Sequence, residues 1–329
     1  MQISYAQLPE TMQKPQNIIA QISKNLKDKK WNCLIDDCDE IAINSHLIQQ
    51  NGLLNNITYN GHLVELKMID ANKWDNKKLP FEFGKVGIKQ ALSHKVFCNK
   101  HDTEIFKPIE DDGKNFESYE AFILFSYRAV CAEIRKKEVN IEQFTRILNA
   151  SSLFGVIDAN VLNSNIEGNK LGIEDLLVLK VELEKEIKNY TDKFKYQVYK
   201  YPKFEVYASA VFSANDLNIF SHISEPDLDN IYIHFLPLED EFLILVGYHS
   251  ERVSEKIINY CNSWGSLSFE DLQKKLTTLF SNNIENWGLS TELYKTLSEK
   301  NKSKYIKTLV ENENLYGISK DMSFNLFEQ

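Results

Sequence analysis

No run of apolar residues in this 329-residue chain approaches the length needed to cross a bilayer, and no apolar h-region opens it. Membrane-spanning roles are therefore not expected. Arginine is absent from residues 1–110, where 14 lysines face 13 acidic side chains for a net charge of +1. The overall charge of −9 leaves a net of −10 for residues 111–329. So slight a basic excess excludes a protein that grips long duplex DNA unaided, and any nucleic-acid contact belongs to the front part. There is no internal repeat and no low-complexity tract. Cysteine is scarce and odd in number, five in all. Cys131 and Cys261 sit in apolar helical runs and read as buried free thiols. These features together fit a soluble protein of the reducing cytoplasm.

With 43% hydrophobic and 12% aromatic residues, the chain has ample material for a core. Its length predicts two domains, placed at 1–110 and 111–329. The front part reads as a helix over 15–27, followed by a strand from Ile41 that ends at His46. A short helix in 47–57, a tight turn at Asn60-Gly61 and a second strand over 62–69 come next. Residues 70–81 read as a loop, and 102–106 as a helix ended near Pro108. The rear part reads as helices over 116–137, 141–150 and 173–194. Four strands follow over 196–201, 204–212, 231–236 and 242–248, with Glu239-Asp240 turning between the last two. Alternation along 204–212 predicts a half-buried strand. Helices over about 252–263, 268–282 and 291–312 complete an α+β class with an antiparallel sheet and a mainly helical larger domain.

The other three cysteines have a spacing that carries chemistry. Cys33 and Cys38 are separated by four residues, the reach of a tight knuckle. Cys98 and His101 form a Cys-x-x-His pair that runs into a helix. Two such pairs supply the four soft or borderline donors of a tetrahedral zinc, whereas magnesium and calcium prefer all-oxygen shells. With four protein ligands, the zinc is structural, because no position remains open for water.

Cys33 and Cys38, then Ser45-His46, then Phe97-Cys98-Asn99-Lys100-His101-Asp102, resemble the outline of an HNH (ββα-metal) endonuclease built on a treble clef. The resemblance covers about residues 31–107. It implies a zinc-bound ββα module in which His46 is the general base on water and Asp102 holds a catalytic Mg2+ or other divalent ion. His101 stands where many members have a cysteine. The sequence departs from the family at Ser45, where an acidic residue or histidine helps hold the metal. It also offers no single asparagine for the middle role, with Asn55, Asn56 and Asn60 all available. The resemblance thus implies phosphodiester hydrolysis of DNA or RNA by the front domain, with a rear domain that recognises a partner or trigger. The competing reading is a non-enzymatic protein in which the zinc is a staple and the acidic rear domain binds another protein.

The remaining polar residues have bland readings beside functional ones. His62 and His94 read as exposed and idle. Lys24, Lys27, Lys29 and Lys30 suit the end of a helix dipole or a phosphate. Lys95 and Lys100 flank the site and are available to phosphate. Tyr127-Arg128 and Arg135-Lys136-Lys137 read as a solvated helix face. Glu225, Asp227, Asp229, Glu239 and Asp240 lack metal-site spacing, and Trp264 and Trp287 read as core.

Overall fold

A computed structural model describes residues 14–73, 79–111, 114–214, 229–251, 253–312, 318–319 and 322–328. Glu225, Asp227 and Arg252, the expected start of a helix, lie outside the described residues. Helix α1 (Pro15–Asp28) opens with proline in its first turn, where a missing N–H costs nothing. Strand β1 (Asn44–His46) is three residues long. At the Tyr59–His62 bridge, Asn60 and Gly61 both take left-handed backbone (φ 52° and 72°), as the two central positions of a tight hairpin turn require. Strands β2 (His62–Met68) and β3 (Phe81–Gly87) follow, then β4 (Ser93–Lys95) and helix α2 (Asn99–Glu110).

Helix α2 does not stop at Pro108 as expected but continues to Glu110. The lost hydrogen bond falls on the carbonyl of Glu104, an exposed residue, where water can replace it. Helix α3 (Tyr119–Leu148) joins the two helices expected at 116–137 and 141–150, because no glycine or proline interrupts residues 138–140. Its N-terminus is capped by Ser118, whose hydroxyl accepts from the Ala121 N–H at 3.1 Å. Helix α4 (Ala159–Asn189) begins well before the expected residue 173, behind an Asp158 cap.

Four strands follow: β5 (Phe194–Pro202), β6 (Val206–Ser213), β7 (Asn230–Pro237) and β8 (Glu241–His249). After them come helices α5 (Glu255–Asn262) and α6 (Phe269–Asn282). The single helix expected over 291–312 is instead strand β9 (Trp287–Ser290), helix α7 (Thr291–Thr296) and helix α8 (Glu299–Glu311).

The architecture is mixed helix and sheet, with an antiparallel sheet of seven strands in the order β3-β2-β9-β6-β7-β8-β5. Strand β6 is buried on both faces rather than half-buried. Its alternation separates two cores. Tyr207 and Val211 face the core shared with α3 and α4, and Val206, Ala208 and Ala210 face the core of α5, α6 and α8. Gly247 in β8 leaves room for the Phe122 side chain of α3 against the sheet. A Cβ there would sit 2.7 Å from the Phe122 ring and 2.3 Å from the Lys195 carbonyl oxygen.

Strands β1 and β4 form a separate two-stranded ladder, in which Ser45 faces His94 across the register. With α2 they stand in ββα order. The chain between them leaves this ladder, because β2 pairs with β9 through Val64 opposite Leu289. The division expected at residue 110 therefore runs through the large sheet, and Cys33, Phe97 and Phe106 share one core with Phe125 and Val130 of α3.

Candidate metal centre and the adjoining polar cluster

The knuckle is built by backbone pairing on both sides of the two thiols. The Cys33 N–H donates to the Glu40 carbonyl at 2.8 Å, and the Cys38 N–H to Ile35 at 3.2 Å. Asp37 takes left-handed backbone (φ 59°), which turns the chain tightly enough to bring Cys38 back. The Leu34 N–H donates to Val96 and the Ile43 N–H to Phe97, fixing the knuckle against the strand that leads to Cys98. Cys98 caps α2, and His101 lies one turn further along the same face.

The four donor atoms converge as one group, all within 4.8 Å of one another. Nδ1 of His101 is 3.4 Å from Sγ of Cys33 and 3.3 Å from Sγ of Cys98, and the Cys38 and Cys98 sulfurs are 3.9 Å apart. Ordinary zinc bond lengths in a regular tetrahedron give edges of about 3.8 Å between sulfurs and about 3.5 Å between sulfur and nitrogen. The donor set fits a metal ion of that size. Burial pushes the Cys33 thiol up to about 11, so a thiolate there needs a cation beside it. Burial also works against the Cys98 thiolate. The His101 backbone N–H and the Cys38 and Cys33 thiols outweigh it and hold Cys98 below the usual thiol value. Cys131 and Cys261 are buried elsewhere, as expected.

Two long helices clamp the knuckle. Arg135 of α3 donates to the Asn32 carbonyl at 2.5 Å and lies 4.9 Å over the Trp31 ring. Lys180 of α4 reaches Asp36 at 3.2 Å. The solvated face expected for Arg128 and Arg135-Lys136-Lys137 is thus corrected. Both arginines are buried, and Lys136 pairs with Glu133 and Glu285. Charged side chains so deep in a core need partners. Arg128 pairs with Glu110 and Arg135 with Glu138, while Nε and Nη1 of Arg128 and Nε of Arg135 are buried without a hydrogen-bond partner.

His46 and Asp102 lie outside the four-ligand group, in a second polar cluster. Nε2 of His46 is 3.3 Å from the Ile88 carbonyl oxygen. A carbonyl only accepts, so this contact places the ring proton on Nε2 and leaves a lone pair on Nδ1. Burial lowers the His46 pKa and keeps the ring neutral at pH 7. Burial raises the Asp102 carboxyl, against the opposing pull of Arg128 and of the Ser45 hydroxyl. Ser45 also accepts from the Phe97 N–H at 3.3 Å, so it ties the strand to the helix that carries Asp102.

Arg128 lies 3.9 Å over the Phe106 ring and makes its close ion pair with Glu110 at 2.7 Å, standing 3.8 Å from Oδ1 of Asp102. That Oδ1 is buried and without a hydrogen-bond partner. None of the three candidate asparagines has a hydrogen bond to His46. Asn56 donates to Gly52 and Pro237. Asn55 is exposed, and Asn60 sits in the turn. The Ile88 carbonyl is the group that orients the ring. Glu110, Arg128 and Ile88 were not apparent from the sequence, although a lone arginine within the apolar run Ala121–Ile134 was the available signal.

The other candidates take ordinary places. His62 is exposed, with Nδ1 2.7 Å from the Asn60 carbonyl oxygen. His94 is half-buried rather than exposed, and burial holds its pKa near 4. Lys95 caps α1 by donating to the carbonyls of Lys27 and Lys29 at 2.6 and 2.9 Å. Lys100 is exposed, while Trp264 and Trp287 are core. No helix among the described residues is long and apolar enough to cross a membrane. Comparison with family models, with curated proteins and with solved structures finds no match to this chain.

Proposed function

We propose that Cys33, Cys38, Cys98 and His101 hold a structural zinc ion and that the adjoining His46–Asp102 cluster hydrolyses phosphodiester bonds. The observation that carries the second part is the buried Oδ1 of Asp102, which lacks a hydrogen-bond partner although Arg128 is nearby. An unsatisfied buried carboxylate oxygen is costly unless something binds it, and a divalent ion is a fitting partner. Asp102 would hold that ion, with Glu110 next in reach of the same cluster. When bound, the ion supplies Lewis-acid stabilisation of negative charge on the phosphate. His46 then takes a proton from water at Nδ1, while its Nε2–H stays on the Ile88 carbonyl. Ser45 positions Asp102 rather than binding metal itself. Lys100 and Lys107 are exposed on the helix that carries Asp102 and are available to a nucleic-acid backbone.

A second reading has its own observation. The Arg128 guanidinium, 3.8 Å from Oδ1, already brings a cation to Asp102. In that reading the zinc is a staple, the cluster is a structural charge network, and the acidic rear part docks a protein.

Cleavage of DNA and RNA with and without added Mg2+ or Mn2+ separates the two. Expected is divalent-ion-dependent cleavage that falls at least a hundredfold in both His46→Ala and Asp102→Ala, with zinc content unchanged. No cleavage by the wild type, or equal cleavage by all three, selects the non-enzymatic reading.

A further inference from the structure

Arg135 grips a peptide unit of the metal knuckle from the middle of α3. Its side chain is 4% exposed, and Nη2 donates to the Asn32 carbonyl at 2.5 Å. That carbonyl and the Cys33 N–H belong to one peptide plane. The Cys33 N–H in turn donates to the Glu40 carbonyl at 2.8 Å. The plane is therefore held at both ends, and with it the Cα from which the first thiol of the site projects.

Charge points the same way. Thiolates at Cys33, Cys38 and Cys98 around one dication leave an uncompensated negative charge inside the fold. Burial disfavours the charged Arg135 guanidinium, while Glu138 and then the Cys33 thiolate favour it. That attraction is mutual, so the guanidinium also favours the thiolate. Nη1 pairs with Glu138 at 2.7 Å, and Nε is buried without a hydrogen-bond partner. Its own contacts thus leave part of the cost of burial without offset, and a negative metal–thiolate group supplies one. Lys180, the other cation at the knuckle, already has two carboxylates, Asp36 at 3.2 Å and Glu184 at 2.9 Å. The difference singles out Arg135. We propose that Arg135 is a positioning residue of the metal centre, which sets the Cys33 thiolate for the ion and balances the charge of the loaded site. This rests on the zinc half of the reading above and is independent of any hydrolysis.

The zinc affinity of the full chain, measured by competition with a coloured chelator at fixed pH, tests this. Arg135→Met keeps an apolar stem beside Trp31 and removes both the fork and the charge. It is expected to lower the affinity about 10–100-fold, the usual effect of losing an outer partner of a metal ligand. Arg135→Lys keeps the charge without the fork and is expected to fall between the Met variant and the wild type. Leu276→Ala, in the core of α5, α6 and α8, reports general loss of stability and is expected to leave the affinity near the wild-type value. With Co2+ in place of zinc, the thiolate-to-metal absorption band is expected to change in Arg135→Met and not in Leu276→Ala. An affinity of Arg135→Met equal to the wild type, or an equal loss in Leu276→Ala, overturns the proposal. Where Arg135→Met does not fold, Arg135→Lys decides, and an affinity equal to the wild type again overturns it. A wild type that takes up no zinc removes the zinc reading itself, whereas a loaded wild type indifferent to Arg135 removes this proposal alone.

Discussion

At the scale of single residues, the buried arginines were the least legible part of the chain. Cys33, Cys38, Cys98 and His101 declare themselves by spacing, and His46 and Asp102 by position relative to them. Arg128 stands out only as a lone arginine in an apolar run, and neither it nor Arg135 names its partner, because helical periodicity reports which face is apolar and not which distant carbonyl or carboxylate awaits a charge. Their partners fix their cost. Arg128→Ala removes both the cation beside Glu110 and the cover over Phe106, and is expected to cost about 3 kcal/mol of stability. Arg128→Met keeps the cover and is expected to cost clearly less. Equal losses in denaturant unfolding would show that the stacking contributes nothing.

At the scale of elements, strands with clear alternation were legible and short or glycine-bearing ones were not. β3 contains Gly84 and Gly87, and β9 is four residues that run directly into a helix. Neither offers a periodic signal long enough to distinguish from loop or helix. The run of α3 through residues 138–140 was hidden for the opposite reason, since weak helix formers there do not outweigh tertiary packing. The contact of α3 with the sheet gives a sharp test. Gly247→Ala places a methyl group 2.3 Å from the Lys195 carbonyl oxygen and 2.7 Å from Phe122. It is expected to cost about 3 kcal/mol, seen as a lower denaturant midpoint. An unchanged midpoint would mean that β8 and α3 do not approach as described.

At the scale of the whole molecule, β2 pairs with β9 through Leu63–Glu65 and Gly288–Ser290, and no local pattern foretells a pairing over that separation. Separately, Cys33, Phe97 and Cys98 pack in one core with Phe125 and Val130 of α3, so metal loss should be felt beyond the knuckle. His234 packs in the same core against Phe122 and Phe125, while His94 is half-buried on the short ladder. Burial lowers His234 to about 3 and His94 to about 4, against 6.5 for an ordinary ring. His234 is satisfied in that form by the Ser126 and Ser209 hydroxyls, at 3.1 and 2.9 Å. In this direction the unfolded chain takes up protons first. The contribution is fully present above about pH 6.5 and is lost as pH falls toward the folded values. Each such ring adds a slope of about 1.4 kcal/mol per pH unit. The buried carboxyls Glu65 and Glu138 are raised and oppose this at lower pH, so the histidine effect is read as the difference between variant and wild type below about pH 6.5. His234→Gln should remove about one proton from the slope measured there, and a slope identical to wild type would place His234 outside the core.

The most direct measurement is the metal content of the purified chain, with chelator-dependent unfolding alongside it. One zinc per chain is expected in the wild type, with none retained by Cys98→Ser and a large fall in thermal midpoint on chelation. A wild type without stoichiometric metal, or a Cys98→Ser variant that keeps one ion per chain, would contradict the four-ligand staple on which the site rests.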